Sequence, residues 1–109
     1  MKWSNLETDI CPIARTLFVM GDRWTLLIIR DCFLGLSRFE QFQKSLGITR
    51  HILTGRLKRL VDEGILVKHE YARGRYDYAL SETGRTLEPV LIELFKWGKK
   101  HRPVRRKTA

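Results

Sequence analysis

The side chains most able to do chemistry in this chain are hydrogen-bond donors and cations at helical spacing in residues 49–63, TRHILTGRLKRLVDE. Hydroxyls, imidazoles and cationic groups in such an array suit phosphates and the edges of bases, guanine in particular. The residues that we assign to base edges or nearby phosphates are Thr49, Arg50, His51 and Thr54. Those that we assign mainly to positioning on the phosphate backbone are Arg56, Lys58 and Arg59.

An apolar stripe on the other side of this run predicts an amphipathic helix whose leucines face the core. Thr49 is the expected N-cap, and Gly64 is the expected C-terminal cap. The stripe consists of Leu53, Leu57, Leu60 and Val61. Charged residues opposite a leucine stripe are usually only a solvated face, so this helix alone does not indicate nucleic-acid binding.

A second helix precedes this one across a tight break at residues 46–48, Leu-Gly-Ile. We expect it to open on a capping box, with Ser37 accepting from the backbone of Glu40 and the Glu40 carboxylate reaching back to Ser37. Phe39 and Phe42 give this helix one apolar face. Two helices joined by so short a break are typical of a helix-turn-helix.

Residues 65–80, ILVKHEYARGRYDYAL, contain two β-rich runs around residues 72–75 and predict a β-hairpin. Its tip carries Arg73 and Arg75, which we assign to the neighbouring minor groove or its phosphates. A hairpin that directly follows a basic second helix is the arrangement of a winged helix-turn-helix, a mainly α fold with a β-hairpin wing. The combination is much more specific than either part.

With these pieces in place, the chain resembles the HxlR-type bacterial transcription regulators, which are relatives of the MarR winged-helix proteins. The resemblance covers nearly all of the chain, although family members often carry proline in the wing, where this chain has residues 72–76. The matching pieces are Cys11-Pro12-Ile13, Gly21-Asp22-Arg23-Trp24, Arg38-Phe39, Gly47-Ile48-Thr49, Leu57-Lys58-Arg59-Leu60, Glu63-Gly64-Ile65-Leu66, Tyr78-Ala79-Leu80-Ser81 with Gly84, and Trp97-Gly98. The resemblance implies a small homodimeric repressor or activator that binds a near-palindromic operator on double-stranded DNA.

Both ends of the chain carry apolar helical faces that suggest a second subunit. Pro12 fits the first turn of an N-terminal helix, and Pro89 should start or kink the last helix. We expect these N- and C-terminal helices to form an isologous homodimer interface, as the resemblance also implies. The alternative is that Leu94, Phe95 and Trp97 pack inside the monomer. A two-fold dimer would read an inverted repeat with half-sites about 34 to 36 Å apart.

Length and charge limit the number of domains and the kinds of partner that the chain can have. The chain has 109 residues, 43% of them hydrophobic, which predicts a single domain over residues 1–109. Its formal net charge of +9 favours a nucleic-acid partner, but seven basic residues lie from Lys96 onward, in what is more often a solvated tail that is partly disordered from about residue 102. Between Arg38 and Arg75, basic residues also outnumber acidic ones, so a positive excess lies on the motif itself.

No targeting signal is visible, and no apolar stretch approaches the roughly 20 residues that a membrane span requires. We therefore expect a cytoplasmic protein without a membrane partner. Cys11 and Cys32 are too few and too far apart to predict a metal site, and no cofactor is expected.

The two cysteines differ in context. Cys32 lies in an apolar helix and is interpreted as an inert core thiol, whereas Cys11 precedes Pro12 at a predicted helix N-terminus, where the dipole favours the thiolate. The resemblance implies a cysteine at this position that responds to oxidants or electrophiles in some family members. For Cys11, a redox-sensing role and a structural or unused thiol both stay open.

The residues give less support to two other functional classes. An enzyme has little support, because the chain has no catalytic constellation and His51, His69 and His101 lie on separate predicted elements. A protein–protein interaction module without specific DNA binding is a stronger rival, since a winged-helix fold does not dictate its use. Such modules tend to expose apolar anchors on the second helix, where this chain has polar and basic groups. A small-molecule effector stays open, although no particular residue points to a pocket for one.

Overall fold

The computed structural model describes residues 2–105 of the chain. A short 3-10 turn, Trp3–Leu6, precedes six helices and two strands, in the order α1 Pro12–Met20, α2 Thr25–Phe33, α3 Phe39–Leu46, α4 Arg50–Asp62, β1 Leu66–Ala72, β2 Arg75–Leu80, α5 Glu82–Arg85 and α6 Glu88–His101. β1 and β2 form a two-stranded antiparallel sheet. The mainly helical fold with a hairpin wing is therefore confirmed. Of the predicted basic tail, Arg106 and Lys107 lie outside the described residues.

The core lies between α2, α3 and α4, and the wing closes one side of it. The leucine stripe of α4 is confirmed, because Leu53, Leu57 and Leu60 are fully or almost fully buried, together with Ile28 and Ile29 of α2. Complete burial of a side chain of this size stabilises the fold by about 1.5 to 3 kcal/mol. This packing fixes α4 by one face and leaves its opposite face in solvent.

The two ends of α4 are capped as the sequence predicts. Thr49 Oγ1 accepts a hydrogen bond from the backbone N–H of Ile52 at 3.3 Å. At the other end Gly64 has φ of 75°, a conformation that residues with a Cβ rarely adopt, and the N–H of Ile65 donates to the carbonyl of Leu60 at 2.9 Å. These bonds end the helix and turn the chain directly into β1.

The start of α3 differs from the capping box predicted at Ser37 and Glu40, which is wrong by one residue. Arg38 is the N-cap, and Gln41 Oε1 accepts from the backbone N–H groups of Ser37 (2.9 Å) and Arg38 (3.0 Å). Ser37 lies in extended chain that pairs with the wing, since its carbonyl accepts from the N–H of Tyr78 at 2.7 Å. The helix therefore begins only after this pairing ends, and Gln41 replaces Glu40 as the reciprocal acceptor.

The terminal helices leave apolar side chains in solvent. Pro89 lies in the first turn of α6 and starts the helix without a kink. The interpretation that Leu94, Phe95 and Trp97 pack inside the monomer is wrong, because these side chains are 50%, 68% and 56% exposed. α6 and its N-cap residue contact the core mainly through Leu91 and Leu87, which leaves the remainder of the apolar surface of α6 uncovered. None of the helices in the described residues is long and apolar enough to cross a membrane.

Candidate nucleic-acid interface

The exposed face of α4 carries most of the donors that the sequence predicts. Arg50, His51, Thr54 and Lys58 are all exposed on this face. The Thr54 hydroxyl donates to the carbonyl of Arg50 at 2.8 Å, while Lys58 forms an exposed ion pair with Asp62 at 2.9 Å. A surface pair of this kind contributes about 1 kcal/mol or less and opens readily to a phosphate. The face is thus rich in donors with weak competition from within the chain.

Two further arginines of α4 have partners inside the molecule. Arg56 Nε lies 3.1 Å from Asp22 Oδ1. Arg59 Nη2 donates to the carbonyl of Phe18 at 2.7 Å, and the guanidinium carbon lies 4.7 Å from the centre of the Phe18 ring. Both arginines therefore contact the end of α1 and the turn that follows it. Their positive charges are directed away from the exposed face of the helix.

Asp22 connects this anchor to the start of α2. Its Oδ1 accepts from the backbone N–H groups of Trp24 (2.9 Å) and Thr25 (3.0 Å), and so caps the start of α2. Partial burial acts to raise the pKa of Asp22, but the hydrogen bonds from Thr25, Trp24 and Arg56 outweigh it and hold the pKa below its usual value. The carboxylate therefore stays ionised at neutral pH and keeps Arg56 in place.

The wing presents its two predicted arginines at the tip. Arg73 and Arg75 are both exposed, on either side of Gly74, whose φ of 71° makes the tight turn. The pairing shifts between Glu70 and Ala72, so Tyr71 lies in a β-bulge. Bulges commonly change the direction of a side chain and increase the local twist. Here the bulge lies on the side of the wing that faces α3.

A cleft of about 470 Å³, which we call the wing cleft, separates the wing from the first turns of α3 and α4. Its lining includes Phe39, Glu40, Arg50, Tyr71, Arg75 and Tyr76. The guanidinium of Arg50 lies 4.9 Å from the centre of the Phe39 ring, and that of Arg38 lies 4.3 Å from the centre of the Tyr71 ring. Arg38 was not among the predicted site residues. The available signal was its place immediately before an aromatic residue at the start of the first helix.

The predicted basic residues thus divide into two groups. Within residues 2–105, no carboxylate forms an ion pair with Arg38, Arg50, Arg73 or Arg75. In contrast, Arg56 and Lys58 have carboxylate partners, and Arg59 has a carbonyl partner. The unpaired group lies around the wing and the first turn of α4, where an approaching polyanion would meet no competing carboxylate on these four arginines.

The cysteines occupy different environments. Cys11 is exposed and is the N-cap residue of α1, with its backbone N–H donating to Asp9 Oδ1 at 2.9 Å. Burial and the adjacent Asp31 carboxylate raise the pKa of the Cys32 thiol to about 12, which agrees with an inert thiol. Among the described residues, no cluster of three His, Cys, Asp or Glu side chains could hold a metal ion.

Comparisons with known proteins identify similar chains. Residues 19–106 match the model of the HxlR-like helix-turn-helix family. Over 93 residues the chain is 40% identical to the uncharacterized HTH-type transcriptional regulator Rv3095 of Mycobacterium tuberculosis, covering 84% of this chain and 59% of that protein. The chain therefore spans less than two thirds of the length of this relative.

Two solved structures are similar to this chain both in fold and in sequence. The crystal structure of PA1607 matches with a TM-score of 0.87 and 39% identity, covering 96% of this chain and 75% of that chain. The redox regulator HypR in its oxidized form matches with a TM-score of 0.77 and 33% identity, covering 86% of this chain and all of that chain.

Proposed function

Since this chain belongs to the HxlR-like helix-turn-helix family, we propose that it is a sequence-specific DNA-binding transcriptional regulator. The observation that carries the proposal is the group of exposed donors on α4, next to the unpaired arginines of the wing. The relative Rv3095 is named as a transcriptional regulator of the same helix-turn-helix type. Acting on DNA in a bacterial cell, the protein works in the cytoplasm.

Within this proposal, the first two turns of α4 enter the major groove. Thr49, Arg50, His51 and Thr54 reach base edges or nearby phosphates, because they lie on the face that no other element covers. Lys58 contacts the backbone further along the helix. The wing tip, with Arg73 and Arg75, reaches the adjacent minor groove or its phosphates.

The intramolecular contacts of Arg56 and Arg59 support a different role for these two residues. Both hold α4 against the end of α1, through Asp22 and the carbonyl of Phe18. A phosphate would have to replace these partners, which for Arg59 means giving up a charge-assisted hydrogen bond. In this proposal Arg56 and Arg59 position the recognition helix and do not contact DNA.

The protein acts as a homodimer. The exposed apolar side chains of α1 and α6 support this, since Ile13 is 70% exposed and Phe95 is 68% exposed. Exposed apolar surface on both terminal helices is typical of a surface that a second subunit covers. A two-fold axis through these helices brings two copies of α4 to successive major grooves, so the operator is an inverted repeat.

Fluorescence anisotropy tests this function directly. The purified protein is titrated onto the DNA upstream of its own gene and onto a scrambled duplex of equal length, over a series of salt concentrations. Tight binding to the upstream DNA alone, with log K falling linearly in log salt, is the expected result. Equal weak binding to both duplexes contradicts specificity for this DNA, and no binding at low salt favours the protein-interaction module instead.

A response to oxidants through Cys11 is a further part of the proposal. It is supported by the exposure of Cys11 at the start of α1 and by the similarity to HypR, which is described as a redox regulator. Diamide should release the wild-type protein from its operator and leave Cys11→Ser bound. If both proteins lose DNA equally, or neither does, Cys11 is not a sensor.

A further inference from the structure

Two arginines lie against aromatic rings that line the wing cleft, with Arg50 in the lining itself and Arg38 beside it. Arg50 lies over the ring of Phe39, and Arg38 lies over the ring of Tyr71. A guanidinium over an aromatic face is attracted by the ring quadrupole while its N–H donors remain available at its edge. The rings therefore hold two cationic groups in place without using the donors that a ligand would need.

The cleft also keeps a defined shape, because the wing is attached to the chain that enters α3. Arg38 forms a β-bridge with Asp77 of β2, and the N–H of Tyr78 donates to the carbonyl of Ser37 at 2.7 Å. β2 is thus anchored next to Arg38 by backbone hydrogen bonding, and β1, which carries Tyr71, is held there by its pairing with β2. Donors held in this way lose little conformational entropy when a ligand binds.

The charges around the cleft favour an anion. Arg38, Arg50 and Arg75 form no ion pair among the described residues, and Glu40 is the one acidic residue that lines the cleft there. Guanidinium groups match the geometry of phosphate oxygens, which accept two parallel hydrogen bonds. The first helix of a helix-turn-helix crosses the DNA backbone, so a phosphodiester would approach the start of α3.

We infer that the wing cleft, together with Arg38 beside it, is a binding site for a backbone phosphate of duplex DNA, with Arg38 and Arg50 as the donors and with Tyr71 and Phe39 as the rings that hold them. This inference rests on the proposed function and adds Arg38 and Tyr71 to it. Because a phosphate carries no sequence information, the site fixes the register of the protein on the duplex and strengthens binding to any sequence. Arg50 is the first residue of α4, so its phosphate contact also positions the recognition helix in the groove.

The test measures anisotropy on operator and scrambled duplexes over a salt series for four variants and the wild type. Arg38→Gln should weaken binding to both duplexes by about tenfold, leaving their ratio unchanged, and should lower the slope of log K against log salt by about one. Tyr71→Leu should have a weaker effect in the same direction, because the arginine remains but loses its ring. Tyr71→Phe keeps the ring and should bind like the wild type.

Arg85→Gln is the matched control, since it removes one exposed positive charge on α5, outside the cleft. It should leave the slope and the affinity within about twofold of the wild type, as expected for a charge that makes no phosphate contact. Thermal unfolding of each variant checks the fold, and Arg38→Gln should unfold within a few degrees of the wild type. A lower salt slope in a stable variant is a result that a merely structural role of Arg38 would not produce.

The outcomes separate this inference from the proposed function. If the wild type binds its operator specifically but Arg38→Gln keeps the full slope and affinity, the cleft is not a phosphate site and the proposed function stands. The same conclusion follows if Arg85→Gln and Arg38→Gln lose affinity equally, because only net charge then matters. If the wild type binds neither duplex at low salt, both ideas fail together.

Discussion

At the start of α4, Arg50 lies over the ring of Phe39 and forms no ion pair among the described residues, while further along the same helix Arg59 donates to the carbonyl of Phe18 and lies over its ring. Both arginines are near an aromatic ring, yet only one keeps all its donors for a ligand. At the start of α4 the ring of Phe39 holds Arg50, whose N–H donors stay available to a ligand. Further along the helix, the hydrogen bond of Arg59 stabilises the fold. A basic residue on a recognition helix is therefore not by itself a DNA contact.

The largest effect that would test this comparison is expected at Arg59. Arg59→Met removes a charge-assisted hydrogen bond and leaves the Phe18 carbonyl without this donor, so the free energy of unfolding should fall by about 2 to 3 kcal/mol, measured by urea denaturation. The salt slope for DNA binding should not change under conditions where the variant is folded. Lys58→Met is the matched control for stability alone, because its exposed ion pair contributes about 1 kcal/mol or less, whereas its salt slope should fall if Lys58 contacts the DNA backbone.

The opposite result would contradict the structural role of Arg59. A variant Arg59→Met that unfolds like the wild type, but whose salt slope falls by about one, would make Arg59 a phosphate contact.

Arg50 should show the complementary behaviour. Arg50→Ala is expected to weaken operator binding by about 1 to 3 kcal/mol, because it removes a donor from the first turn of the recognition helix. Its stability should change by less than about 0.5 kcal/mol, since a cation at a helix N-terminus is unfavourable to the helix dipole and offsets the contact with Phe39. Anisotropy and urea denaturation measure the two quantities on the same preparation. A large loss of stability with unchanged DNA binding would show that Arg50 is also an anchor.

The smallest of these effects is expected at Asp22, where the anchor of Arg56 depends on pH. Asp22→Ala should lower the free energy of unfolding at neutral pH by about 1 kcal/mol through loss of the α2 cap and the ion pair. The folded-state pKa of Asp22 lies below its value in the unfolded chain, so its charge stabilises the fold above the unfolded-state pKa of about 4. This stabilisation is lost as the pH falls through the lower folded-state value.

Urea denaturation of wild type and variant across pH 7 to 3 measures this difference. The gap between the two proteins should narrow below about pH 4. If the difference in the free energy of unfolding stays constant over the whole range, Asp22 stabilises the fold only through hydrogen bonds that its protonated carboxyl group also makes.

Much of the fold could be predicted because its signals are local. The cap at Thr49, the turn at Gly64 and the leucine stripe of α4 each depend on residues a few positions apart, and all are confirmed. The capping box at Ser37 failed for a non-local reason, since pairing with the wing holds that segment extended. A local motif is thus reliable only where no distant strand competes for the same backbone groups.

The sequence predicted most of the residues of the candidate site. It did not predict which of the basic residues have partners inside the chain and which have none. Residue types and helical spacing gave the exposed donors of α4 and the arginines of the wing. The partners of Arg56 and Arg59 lie 34 and 41 residues earlier in the chain, so no spacing rule connects them. Arg38 was overlooked because its stacking on Tyr71 depends on how the wing folds back against α3.

The amino-acid sequence by itself determined the helices, the caps of α4, the hairpin and the positive charge of the motif, because periodicity, capping and turn formation act between near neighbours in the chain. Only the tertiary structure decided which cations remain open to a ligand and which are held within the fold. The reason is that a guanidinium is neutralised, bonded or stacked by whatever packs beside it, and those neighbours come from α1, the turn before α2, α3 and the wing.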